Sequence, residues 1–229
     1  MIQSLTQVLG PWGCALVTMA CAYLLGSLSF AIIVCKLTLG RDIRDYGSGN
    51  AGLTNAYRTM GGAKTLLVLL GDLAKAAAAL AIGGALLGQG GKLLAGAFVI
   101  LGHVYPAYFG FRGGKGVATS LGAATALAPI TFPLVMIPFL LILLIGRMVS
   151  LASVICGFLL PVVTFCIYYF KGEPTLVPTV ATAILTLLVL FMHRTNLVRI
   201  AHGEERKIGA DKVNVEAESQ ENQDNQAKK

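Results

Sequence analysis

The sequence predicts an all-α, polytopic integral membrane protein of about seven transmembrane helices, with glycine-rich loops at the cytoplasmic face. Three observations predict it. The 229 residues are 55% hydrophobic and only 13% charged, whereas a soluble domain carries about a quarter charged residues; mean hydropathy is +0.74. The apolar residues gather into runs of membrane-spanning length. The cations collect on one side of those runs. A chain of this length suits one polytopic domain rather than several globular ones.

The first run is Trp12 to Cys35. The preceding "MIQSLTQVLGPWG" lacks the positive region of a signal peptide, so this span is read as retained, with its uncharged N-terminus outside. Thr65 to Leu87 is a second span, and Leu93 to Tyr108 with its flanks a third. Val117 to Ile145 is too long for one comfortable helix and short for two, and Pro129 and Pro133 sit near its middle. Leu151 to Phe170 and Leu176 to Met192 complete the set. The count is six spans, or seven if Val117 to Ile145 is a proline-broken pair.

Charge decides between them. With seven spans, every one of the 18 Lys and Arg residues except Lys75, Lys92 and Lys171 lies inside. With six, Arg147 and the C-terminal cations change sides and the bias weakens. The positive-inside rule therefore favours seven. It also accounts for the net charge of +7 without a nucleic-acid partner; the basic stretch His193 to Lys212 suits anionic lipid headgroups. Beyond Gly209, "ADKVNVEAESQENQDNQAKK" is polar and lacks aromatics. The expected division is a membrane-embedded domain, 1–209, and a disordered tail, 210–229, dispensable for chemistry.

Cys14, Cys21, Cys35, Cys156 and Cys166 all fall in apolar runs without a C-x-x-C pair. They read as buried small residues rather than a metal or redox centre. Asp72 and Lys75 stand three apart inside the second span. They read either as an ion pair holding the bundle or as a polar wall of a site.

Three polar regions share the inner face. "GSGNAG", Gly47 to Gly52, satisfies G-x-G-x-x-G, but an apolar helix precedes it rather than a strand, which excludes a dinucleotide fold. "GFRGGKG", Gly110 to Gly116, is not a P-loop: the glycine spacing is one short, and Gly116 stands where a Ser or Thr is needed. The physics common to both survives. Glycines let successive N–H groups face one anion, a helix starting at Val117 adds its positive end, and Arg58, Arg112 and Lys115 add full charges. The third region is "HRTNLVRIAHGEERKIG", where His193 and Asn196 share a face if helical.

"GSGNAGLTNAYRTMGG", "GHVYPAYFGFRGGKGVAT" and "HRTNLVRIAHGEERKIG" resemble the three signature motifs of the bacterial PlsY-type glycerol-3-phosphate acyltransferases. The resemblance runs from about Trp12 to Gly209, in order and with similar spacing. Arg112 stands where many relatives have Lys, which keeps the charge but alters hydrogen-bond geometry. The resemblance implies a seven-span enzyme of the bacterial inner membrane with its site on the cytoplasmic face. It implies acyl transfer from acyl phosphate to the 1-hydroxyl of glycerol 3-phosphate, releasing lysophosphatidic acid and phosphate. Carried over, the catalytic and phosphate-handling positions are Ser48, Arg58, Lys115, His193 and Asn196. Supporting, substrate-binding positions are Gly47, Gly49, Asn50, Asn55, Arg112, Gly113, Gly114 and Gly116, with Ser153, or alternatively Ser150, from the sixth span. No cofactor and no metal are expected. The expected partners are the two substrates, membrane lipids and, as a candidate, the enzyme that makes acyl phosphate.

Both substrates carry phosphate, and cations with fixed N–H groups hold two anions together and stabilise charge developing in transfer. No Ser-His-Asp set accompanies the motifs, and His103 lacks the H-x4-D spacing. Direct attack by the glycerol hydroxyl is therefore preferred to a covalent acyl-enzyme, with His193 or a substrate phosphate taking the proton. The competing class is a phosphate or organic-anion transporter, and a third is a structural membrane subunit. Paired broken helices in two halves, the transporter signature, are not seen.

Overall fold

The computed structural model describes residues 2–127 and 130–209, and all its regular elements are helical. The expected tail, 210–229, lies outside the described residues, as does Pro129.

The first apolar run is not one uninterrupted helix. Helix α1, Ile2–Gly26, bends at Gly10, where φ is +62° and Pro11 follows. It stops before Ser27, and α2 resumes over Phe30–Leu39. A break inside a membrane exposes backbone groups that lipid cannot satisfy. Here the protein satisfies them: Lys75 Nζ donates to Leu28 O at 2.8 Å, and Ser27 Oγ donates to Tyr23 O at 2.8 Å. Ser27 Oγ also accepts from the Ala107 N–H at 3.2 Å. The sequence reading of one continuous span missed this break because Ser27 and Ser29 are mild, uncharged interruptions.

A short helix, α3 (Leu53–Met60), leads into α4, Gly62–Val104. The latter is a helical hairpin. Its backbone leaves helical geometry at Leu87 and at Gly88, where φ is +57°. A Cβ on Gly83 would lie 2.3 Å from Gly91 O, so the two arms touch beside the turn. The side chains of Lys75 and His103 meet at 2.9 Å although 28 residues apart; a straight helix would separate them by about 42 Å. The arms match the second and third spans read from sequence. Against them, α1 crosses backbone to backbone: a Cβ on Gly102 would lie 2.2 Å from Tyr23 O, and one on Gly26 would lie 2.2 Å from Val99 O. Close approach through small residues is how helices pack where lipid supplies no hydrophobic drive.

The long run after the glycine loop is divided, as a broken pair requires, into α5 (Val117–Leu127) and α6 (Thr131–Gly146). Then come α7 (Val149–Phe170), α8 (Leu176–Met192) and α9 (Arg194–Ala201), the last bent from α8 by 62°. The main core joins Ala22 of α1, Leu80 and Ile100 of the two α4 arms, Ala123 of α5 and Leu185 of α8. By length and hydropathy, three helices among the described residues qualify as spans, or four with the bent pair counted as one. That measure counts α4 once although it doubles back, and it passes over α5 and α6, which have 11 and 16 residues. Seven crossings do not follow from helix length alone.

Asp72 and Lys75 form the ion pair, 2.8 Å apart with both side chains at most 2% exposed. His103 is an unforeseen third member, 3.5 Å from Asp72. Lys75 Nζ hydrogen-bonds His103 Nδ1 and Leu28 O while it is ion-paired with Asp72. The pair is bound into the scaffold at the α2 break and beneath the glycine loop. Cys14, Cys35 and Cys156 are buried as expected and Cys21 partly so, but Cys166 is exposed. An apolar thiol on the outer face of a membrane helix meets lipid, so burial in protein is not required of it.

Candidate active site

The loop between α2 and α3 is shaped by Asn55. Its Nδ2 donates to Ile43 O at 3.1 Å and Tyr46 O at 3.0 Å, and its Oδ1 accepts from the Ser48 N–H at 3.0 Å. One buried amide thus folds residues 43–48 back onto α3. Ser48 and Gly49 are left exposed, with Gly47 and Asn50 half-buried. Gly47 and Gly49 both take positive φ, at 62° and 67°. One turn along α3 from Asn55, Arg58 is buried, and its guanidinium donates to Arg206 O at 3.3 Å.

The glycine-rich loop lies over the buried His103. The Gly113 N–H donates to Val104 O at 3.1 Å and the Gly114 N–H to His103 O at 3.2 Å. A Cβ on Gly114 would stand 2.2 Å from His103 Nε2 and 2.9 Å from Ala51 O. Gly114 is therefore where the two loops and the buried imidazole meet, and no larger residue fits. Gly116, with φ of +78°, turns the chain into α5. Arg112 is exposed, and Lys115 is half-buried.

The third region completes the cluster. His193 sits at the bend between α8 and α9, and its Nδ1 is 2.8 Å from Val189 O. A carbonyl only accepts, so Nδ1 carries the proton and Nε2 is the accepting nitrogen. Asn196, on α9, accepts from Lys115 Nζ through Oδ1. Its Nδ2 donates to Glu205 Oε1 at 2.7 Å. Ser150 Oγ donates to the same oxygen at 2.7 Å, and Arg199 Nε to Glu205 Oε2 at 2.9 Å. Ser150, the alternative in the sequence reading, is the serine joined to this network. The Ser153 hydroxyl donates to Val149 O, one turn back on its own helix, at 2.8 Å.

Glu205 and Arg199 escaped the sequence reading. The signal was a lone "GEER" after a helix, and nothing local shows that its second glutamate, Glu205, reaches three polar groups. Burial resists ionisation of Glu205, but its bonds from Ser150, Arg199 and Asn196 outweigh that and hold its carboxyl below the usual range. Burial, then repulsion from Arg199 and Arg58 against attraction from Glu205, pushes Lys115 down to about 8. Lys115 and Glu205 also act on His193 through their charges. Lys115, Arg58, Arg199, Asn196, Glu205 and His193 therefore form one neighbourhood. Three cations against one carboxylate leave it positive, which suits phosphate; the Gly113 and Gly114 N–H groups, bonded to Val104 O and His103 O, do not form the anion nest that the glycines suggest.

The model of the glycerol-3-phosphate acyltransferase family matches residues 16–203. The chain belongs to this family. Glycerol-3-phosphate acyltransferases of Exiguobacterium sibiricum and Bacillus subtilis are 43% and 40% identical to it over 187 residues, 82% of this chain and 90% and 94% of theirs. A crystal structure of PlsY (YgiH), an integral membrane glycerol 3-phosphate acyltransferase, in its glycerol 3-phosphate form superposes with a TM-score of 0.74 at 35% identity. It covers 85% of this chain and 96% of its own. The lysophosphatidic acid form of PlsY gives 0.73 at 34%, over 85% of this chain and 95% of that one. The protein is thus a glycerol-3-phosphate acyltransferase, an integral membrane enzyme of phospholipid synthesis. The transporter and structural-subunit readings give way to this membership.

Proposed function

We propose that the acyl donor is acyl phosphate and that the acyl group passes to the 1-hydroxyl of glycerol 3-phosphate at the cytoplasmic face of the inner membrane. The observation that carries this reading is the union of Lys115 with Asn196 among Arg58, Arg199 and Glu205 beside the glycine loop. A site for two phosphates needs such a surplus of positive charge. The two forms of PlsY hold glycerol 3-phosphate and lysophosphatidic acid, the acceptor and product of this reaction. The hydroxyl oxygen attacks the acyl carbonyl carbon, the carbonyl carbon–oxygen bond to phosphate breaks, and inorganic phosphate leaves. Arg58 and Lys115 neutralise the two phosphates, with Arg112 adding charge at the mouth. The N–H groups of Gly113 and Gly114 are already spent on carbonyls, so these residues shape the loop. Gly116 turns it into α5. Ser48 meets substrate from the first loop, which Gly47, Gly49, Asn50 and Asn55 hold in shape. Ser150 acts through Glu205, and Ser153 lines the same helix. Purified protein in detergent should form lysophosphatidic acid with no gradient present; ion movement without product would return it to the carrier class.

Seven crossings put all three motifs on one side, supported by the distribution of the 18 cations. The membrane-embedded domain is 1–209, with 210–229 a dispensable tail, and the enzyme that makes acyl phosphate is a fitting partner. In a variant cleared of native cysteines, Ser48→Cys, Thr119→Cys and Asn196→Cys should each be shielded from an impermeant thiol reagent outside intact cells. Labelling of one and not another would break the arrangement.

His193 positions the attacking hydroxyl through Nε2, and the proton passes to a substrate phosphate oxygen. Nδ1 is anchored on a backbone carbonyl rather than a carboxylate, and the attraction of Glu205 for an imidazolium is opposed by burial and by the Lys115 charge. His193→Gln places an accepting oxygen near the same point and should retain appreciable activity, with the parental pH dependence of kcat. His193→Ala should be much weaker. Loss of a true general base costs about 10²–10⁴-fold; equal loss in both variants, with the acidic limb gone, would make His193 that base.

A further inference from the structure

Arg44 enters no step above, yet its guanidinium spans both loops. Nε donates to Asp42 Oδ1 at 2.9 Å and the second terminal nitrogen to Asp42 Oδ2 at 2.8 Å, a two-pronged pair. The remaining nitrogen reaches across to the glycine loop, donating to Phe109 O at 2.6 Å and Arg112 O at 3.1 Å. Asp42 also takes the Arg44 N–H at 3.0 Å, so the arginine's base is as fixed as its tip. The carbonyls of Ile43 and Tyr46, on either side of Arg44, are held by Asn55.

The two carbonyls that Arg44 grips flank a strained residue. Phe111 has φ of +58°, one of two non-glycine residues with positive φ among those described. An L-residue with a Cβ is disfavoured there, and such a conformation persists only where surroundings over-determine it. The Phe111 side chain is 60% exposed, so burial of the ring does not hold it. Its own N–H donates to Pro106 O at 3.0 Å, and Arg44 fixes the carbonyls before and after it.

We propose that Arg44 is a positioning residue, a clamp that holds residues 109–112 in their strained turn and so sets Lys115 against the loop carrying Ser48 and the helix carrying Arg58. Four acceptors in two directions require a planar fork. Lysine keeps the charge but is a point donor and cannot hold both the carboxylate and the carbonyls. The inference rests on the phosphate-binding reading of Lys115. It adds that the distance between the two loops is set from outside the site.

The test compares Arg44→Lys, Phe111→Gly and the double variant in detergent, reading kcat, KM for glycerol 3-phosphate and Tm. Arg44→Lys should keep its Tm within a few degrees while kcat/KM falls by about tenfold or more, chiefly through KM. Phe111→Gly alone should be near parental. Adding it to Arg44→Lys should recover most of the loss, because glycine adopts the turn without being held. A parental kcat/KM in Arg44→Lys overturns the clamp, and so does a loss that Phe111→Gly leaves unrecovered. Lys115→Ala is run alongside: if it stays active, the phosphate-binding reading fails instead.

Discussion

Lys115→Ala is expected to lose about tenfold to hundredfold in kcat/KM while still inserting and remaining monodisperse. The variant gives up one charge-assisted bond to substrate, worth roughly 1.5–3 kcal/mol, and leaves Asn196 Oδ1 without its donor. Arg58→Ala should show a loss of the same order. The position of Lys115 adds a pH signature. Burial first, then repulsion by Arg199 and Arg58, lowers its pKa to about 8. The ammonium is therefore present below that pH and lost above it. The kcat/KM for glycerol 3-phosphate should fall as pH rises through about 8. Lys115→Arg should move that limb upward, since guanidinium keeps its proton. An unmoved limb in Lys115→Arg would assign it to another group, and near-normal kinetics in Lys115→Ala would leave the glycine loop as a membrane anchor.

Gly114→Ala should cost about a hundredfold in activity, and some thermal stability with it. The added methyl would meet His103 Nε2 at 2.2 Å and Ala51 O at 2.9 Å. Neither can yield cheaply. The imidazole is bound to Lys75, itself paired with Asp72, and Ala51 presents backbone. The loop must move, and Lys115 moves with it. Gly110→Ala is the control: its φ is +65°, but no atom lies within 4 Å of the new methyl. Its penalty is backbone strain alone, about 1–2 kcal/mol. Equal behaviour of the two variants in kcat/KM and Tm would remove the packing argument for Gly114.

The three motifs were legible in the sequence because each is a dense local pattern, and the structure joins Lys115 to Asn196 as their shared face implies. The α4 hairpin was legible too, since polar residues separate its two apolar arms. What escaped reading depends on partners far along the chain. Glu205 meets Ser150 at a separation of 55 residues, and Arg44 meets Phe109 at 65. No periodicity records such meetings. Ser150 and Ser153 are one turn apart on one face of α7, so spacing could not tell that Ser150 bonds the distant carboxylate of Glu205 while Ser153 bonds Val149 O on its own helix. The break before α2 was hidden for a related reason. Its cost is met by Lys75, a residue 47 positions away from Leu28.

The central claim is direct transfer from acyl phosphate to the glycerol hydroxyl in the Lys115 site. Rapid mixing of stoichiometric purified protein with acyl phosphate, first alone and then with glycerol 3-phosphate, tests it most directly. Direct attack predicts no phosphate above the rate in buffer until glycerol 3-phosphate arrives, after which phosphate and lysophosphatidic acid rise together in equal amounts. A burst of phosphate approaching one per protein before the acceptor is added would mean a covalent acyl-enzyme and contradict the account, as would failure to use acyl phosphate at all.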